Sequence, residues 1–147
     1  MSIWKKLTKD ERIERDRIVK ENLDPTYGEL QSPKSYECGG IASFDGLKPE
    51  GMRILIQKGY ARADETQNDS PSIEEFTAFC EKHPGFTMHG YLVSEAREDC
   101  RVSVEGVIGA PDALDAEGVR EFVRYFRFAD EFALGDNKDQ PYYCWYD

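Results

Sequence analysis

Twice along this chain the apolar residues change from the period of a helix to the period of a strand, and no other feature narrows the fold as far. Ile73, Phe76, Phe79 and Cys80 fall at i, i+3, i+6 and i+7, after a Ser72–Glu75 capping box and before Pro84-Gly85. From Phe86 the period is 2. "FTMHGYLVS" and "CRVSVEGVI" flank the polar "EARED", the pattern of a β-hairpin with a long turn. Val102 and Val104 point one way while Arg101, Ser103 and Glu105 point the other, which predicts one buried face and one wet face. Asp115 can then cap a helix with Val119, Phe122, Val123 and Phe126 at i, i+3, i+4 and i+7. Phe128, Phe132 and Leu134 alternate after it, "GDNKDQP" turns, and the closing segment alternates again. Hairpins with helices laid to one side predict an α+β, two-layer domain. Its antiparallel sheet has about four strands in two hairpins, packed by three to four helices. Helix plus hairpin recurs over 72–108 and 115–147, as a structural duplication would.

The last residues, "QPYYCWYD", are the densest aromatic patch of the chain. Tyr142, Cys144 and Tyr146 share one face and Tyr143 and Trp145 the other. A segment that alternates and follows a turn reads as a strand packed on both faces or set inside the sheet, rather than as an adhesive tail.

Upstream the signals are weaker. Thr8 and Glu11 have capping-box spacing and open a helix over 8–23, but Ile13, Ile18, Val19 and Leu23 are too few for a wide apolar stripe. Residues 1–23 therefore read as a charged, solvated helix or arm, with Ile3, Trp4 and Leu7 as the residues that could dock on a partner. Residues 24–46 read as a linker with a short strand broken at Gly39-Gly40. Pro49 opens a helix carrying Met52, Leu55 and Ile56 on one face and ending at Gly59. The core domain is then 47–147.

Charge narrows the partners. The 147 residues carry a net charge of −10, unevenly spread. Residues 1–21 hold seven Lys or Arg against five acids, and the rest hold 12 bases against 24 acids. An acidic body disfavours direct binding of DNA or RNA, whose phosphates need Lys and Arg. Asp64, Glu65 and Asp69 share one loop, and Glu95, Glu98 and Asp99 crowd the first hairpin turn. With Trp4 these are the candidate partner-binding residues. Such carboxylates suit solubility, another protein's basic surface, or a mimic of nucleic-acid phosphates. No run of about 18 apolar residues suggests a membrane span. The start "MSIWKKLTKDERIERDR" lacks the apolar core of a signal peptide, so a cytoplasmic setting is expected. The four cysteines, Cys38, Cys80, Cys100 and Cys144, form no CxxC pair and are expected as reduced thiols, Cys80 and Cys100 among core residues.

Catalytic signals are sparse. His83 and His89 are the imidazoles available as general bases, and neither sits in a signature with Cys, Ser or a carboxylate. No phosphate-binding loop, nucleophile elbow or HExxH occurs, and "GDNKDQ" lacks the ligand spacing of a calcium loop. No cofactor or metal is expected. "QNDSPSIEEF" and the closing "FRFADEF…CWYD" resemble stretches of small bacterial proteins encoded near plasmid and conjugative-element genes, over roughly residues 47–147. That resemblance implies an accessory gene and supplies no activity or catalytic residue. The expectation is a non-enzymatic, acidic cytoplasmic module that binds another protein. Its alternatives are a nucleic-acid-mimicking inhibitor of a DNA- or RNA-handling host-defence protein, and a small enzyme or ligand binder with a dispersed site.

Overall fold

The computed structural model describes residues 5–135 and 139–147. The expected contact residue Trp4 and part of the "GDNKDQP" turn lie outside the described residues. The order of elements is α1 (Lys9–Glu21), β1 (Glu29–Gln31), a 3-10 turn (Tyr36–Cys38), β2 (Ile41–Leu47), α2 (Pro49–Gln57), α3 (Ile73–Lys82), β3 (Phe86–Val93), β4 (Val102–Gly109), α4 (Ala116–Phe126), β5 (Glu131–Ala133) and β6 (Tyr142–Trp145). The class is α+β as expected, with four helices and one antiparallel sheet. The sheet has six strands rather than about four, in the order β1-β2-β3-β4-β6-β5.

The strands outside the two hairpins come from the segment read as a linker with a short strand. β2 runs past Asp45-Gly46 through a bulge, where Gly46 takes a φ of +75°. A side chain there would be strained and would press on Gly28 in the adjacent segment. In sequence, "FDG" looks like a turn; in the sheet it bends the strand.

Capping proceeds as the sequence predicts. Thr8 and Ser72 accept from the N–H groups of Glu11 and Glu75, whose carboxylates reach back, and Asp115 accepts from Gly118. α3 and α4 then lay their apolar stripes on β3, β4 and β6. Phe79 is the centre of this layer, with ring centroids 5.2 Å from Phe86 and 5.0 Å from Phe126, both edge-on. Phe122 meets Tyr142 at 5.4 Å and Phe132 at 5.3 Å. Tyr142, Cys144 and Tyr146 are buried, and β6 lies between β4 and β5. The closing segment is an interior strand.

The expectation of a solvated first helix is corrected. Val19 and Arg15 of α1 are both 0% exposed, and Ile18 and Val19 join the core. Arg15 takes the place of an apolar residue because its fork is fully engaged. Nε donates to Asp16 at 3.0 Å and Nη2 to the Tyr36 hydroxyl at 2.8 Å, which itself donates to Asp16 at 2.6 Å. Nη1 lies 3.7 Å from the Cys100 thiol. One turn earlier Arg12 donates to Glu95 at 3.0 Å and Glu37 at 3.1 Å, with its guanidinium over the Tyr36 ring. Hydrophobic counting misses such a helix, because an arginine whose charge is paired buries its stem like an aliphatic residue. All four cysteines are free thiols, with Cys80 and Cys100 buried. Among the described residues no helix is long and apolar enough to cross a membrane.

Two outcomes check this packing. Asp16→Ala strands the Arg15 charge in the interior and should cost about 3 kcal/mol of stability in denaturant titration. Removing residues 142–147 should abolish cooperative thermal unfolding, because the sheet loses an interior strand and the aromatic layer loses its floor. An unchanged melting transition would refute the second.

Candidate functional site

Because side chains alternate along a strand, the sheet has a second face, and the core lies against the first one only. On β3 this second face carries Thr87, His89 and Tyr91. On β4 it carries Ser103 and Ile108, on β6 Tyr143 and Trp145, and on β2 Ser43 and Asp45. Thr87, His89 and Ser103 are nonetheless buried, each covered by a larger neighbour on the same face. The Tyr27 hydroxyl lies 2.7 Å from the Thr87 hydroxyl, Tyr143 stacks on His89 at 5.2 Å and 10°, and Arg101 donates to Ser103 at 3.1 Å. The result is an aromatic platform of Tyr27, Tyr91, Tyr143 and Trp145.

A bulge shapes its middle. His89 pairs with Gly106 and Gly90 with Val104, so Glu105 is the extra residue of β4. Freed from the ladder, its carboxylate accepts the Trp145 indole N–H at 3.2 Å, while its backbone carbonyl accepts Tyr146 N–H at 2.7 Å. Gly106 must be glycine here, since a Cβ would fall inside Cys144 O and the His89 ring.

The electrostatics of the platform are acidic. Burial first, then Glu131, Asp45 and Glu105 among other groups, raises the Tyr143 phenol pKa. Glu131, Asp45 and Glu105 make no ion pair among the described residues. At the opposite end the chain holds a cation of its own: the Arg101 guanidinium sits 5.6 Å from the Tyr91 ring centre, donates to its hydroxyl at 3.0 Å and pairs with Asp99 at 2.9 Å. Ring plus carboxylate is thus a working guanidinium grip at one end. At the other end the same components stand without a cation among the described residues.

The acids singled out in the sequence separate into different environments. Glu95 is largely covered and serves as the partner of Arg12. Asp99 is held by Arg97 at 2.7 Å and by Arg101. Glu98 is exposed. Asp64 is exposed, 3.5 Å from Arg62, and Asp69 is exposed in a left-handed conformation at φ +61°. Glu65 is half-buried and its backbone carbonyl accepts the first N–H of α3. Leu7, expected as a docking residue, is buried. Neither histidine faces a nucleophile. His89 Nε2 donates to Cys144 O at 2.9 Å, and burial lowers its pKa below the usual 6.5. His83 Nε2 lies 3.5 Å from one Glu121 carboxylate oxygen without forming a hydrogen bond, while the other oxygen accepts from Lys82 at 2.7 Å, beside a cleft of about 430 Å³. Among the described residues no three His, Cys, Asp or Glu side chains gather as a metal site. Sequence reasoning missed Tyr27, Tyr91 and Asp45. Tyr27 and Asp45 sit in a stretch read as linker, and a bulge changes the phase of the strands around them.

Two measurements follow from these placements. Glu95→Lys removes a partner of a buried arginine and should cost about 1–3 kcal/mol, whereas exposed Glu98→Lys should stay within about 0.5 kcal/mol. His89 is held neutral, so the unfolded chain takes up a proton as pH falls through 6.5 while the folded chain does not. Acidification below that value therefore costs stability, down to the lowered folded pKa. The fall in melting temperature between about pH 7.5 and 5.5 should be smaller in His89→Gln than in the wild type. Compared with protein-family models, curated proteins and solved structures, the chain matches none.

Proposed function

We propose that this chain is a binding module that takes a cationic segment of another protein, rich in arginine or lysine, on the open face of its sheet. The observation that carries the reading is the pairing of Tyr143 and Trp145 with Asp45, Glu105 and Glu131, carboxylates with no ion pair among the described residues, on a face that no part of the core lies against. The Arg101 grip on Tyr91 and Asp99 displays the same chemistry in cis. Aromatic rings attract a cation through their quadrupole, and nearby carboxylates strengthen and steer the encounter. The setting we assign is cytoplasmic, with the protein an accessory factor of a mobile element, acting without direct contact to nucleic acid.

The test is titration with an arginine-rich peptide, followed by anisotropy of a dye on the peptide. Binding should weaken as salt is raised, since exposed charges are screened over about 10 Å at 0.1 M. Tyr143→Ala and the pair Asp45→Lys with Glu131→Lys should each weaken it about tenfold with the fold retained. If those changes are silent while reversal of Asp64, Asp69 and Glu98 abolishes binding, the contact lies in the acidic turns, as a nucleic-acid mimic requires.

A further inference from the structure

The opposite polarity appears on the other side of the molecule. α1, β1 and the segment that follows β1 enclose an open cleft of about 790 Å³. In a chain of net charge −10 its lining holds four cations, Arg12, Arg17, Lys20 and Lys34, against two carboxylates, Asp16 and Glu37. Both carboxylates are already taken, since Arg12 pairs with each of them. Arg12 and Asp16 are buried, so what faces outward is Arg17, Lys20 and Lys34 with the exposed Glu37, a net positive balance. Lys20 and Lys34 are exposed and have no ionic partner among the described residues, and Arg17 shares Glu21 at 2.7 Å. Beside them Ile13 is 48% exposed, an unusual fraction for isoleucine, and Leu30 and Pro33 continue the apolar wall.

We infer that this cleft binds an acidic peptide segment in extended form. Three observations select that occupant. Arg17 and Lys20 lie three residues apart along α1 and Lys34 stands on the opposite wall. Cations on two walls of the cleft offer separate contacts to carboxylates carried on one chain. The apolar wall between them gives side chains of such a segment a surface to cover. The groove also includes Leu30 of β1, an edge strand paired only with β2, whose outer side has no strand neighbour. An extended segment laid there can join the sheet by backbone hydrogen bonds while its carboxylates meet the cations. The size is within the range of pockets that hold a small ligand or a few residues of peptide.

The reading is independent of the sheet-face proposal and takes a ligand of opposite charge. The probe is a dye-labelled peptide of alternating glutamate and valine, added to the full chain at low salt. Anisotropy should rise on titration, and raising salt should reverse it. Lys20→Glu with Lys34→Glu should weaken binding about tenfold, and Ile13→Ser should weaken it as well, each with an unchanged melting temperature because all three side chains are exposed. N-methylation of alternate peptide amides should also reduce affinity, through lost pairing with β1. Tyr143→Ala should leave this binding unchanged. The proposal is overturned by the absence of binding, by binding that the lysine reversals do not alter, or by displacement with inorganic phosphate at matched ionic strength. Equal affinity of the N-methylated peptide overturns the extended, strand-paired form.

Discussion

The aromatic layer beneath α3 and α4 is the contact on which the architecture depends. Phe79 and Phe122 bind two helices to β3 and β6 at once, with edge-on and tilted rings 5.0–6.0 Å apart. Because this layer engages β6 through Tyr142, the last strand is drawn between β4 and β5 rather than left at an edge. It also commits the large apolar side chains to one side. The other side of the sheet then has to cover its own polar residues, and does so with Tyr27, Tyr143 and Arg101. The platform is a consequence of one-sided packing.

Charge in this protein has two roles that composition alone merges. Arg12, Arg15 and Asp16 are structural: they form a hydrogen-bonded network with Tyr36, Glu37 and Glu95 that ties α1 to the 3-10 turn and to the start of the β3–β4 turn. A network of this kind tolerates burial only while every member is satisfied. Arg53 does the same on the surface, gripping Glu74 with two hydrogen bonds and Glu81 with two more, which ties α2 to α3. Carboxylates without an ion pair among the described residues, Asp45, Glu105 and Glu131 on the platform and Asp69 and Glu98 in the turns, carry the field that an approaching partner meets. The two proposed contacts lie on surfaces of opposite sign, so charge sorts their ligands before any close contact forms.

Local signals declared the caps, the helices α2, α3 and α4, the β3–β4 hairpin and the strand character of the last residues. Each is set by hydrogen bonds or periodicity within a few residues, and Ser72–Glu75 or Phe122–Phe126 are legible without knowing what they touch. The tertiary structure decided the rest. β1 and β2 are strands because partners exist for them, and the bulge at Asp45-Gly46 hides their alternation. Arg15 is a core residue because Asp16, Tyr36 and Cys100 converge on it from three separate segments. The candidate site was not legible, since Tyr27, Asp45, Glu105 and Tyr143 come from four parts of the chain and meet only when β2 and β6 take their places on either side of β3 and β4. Periodicity reports which face of an element is apolar; it carries no information about which polar residues end up side by side. Sequence alone determined the locally signalled elements and the sign of the net charge, and only the fold, by neutralising some charges and leaving others bare, decided where that charge is available to a partner.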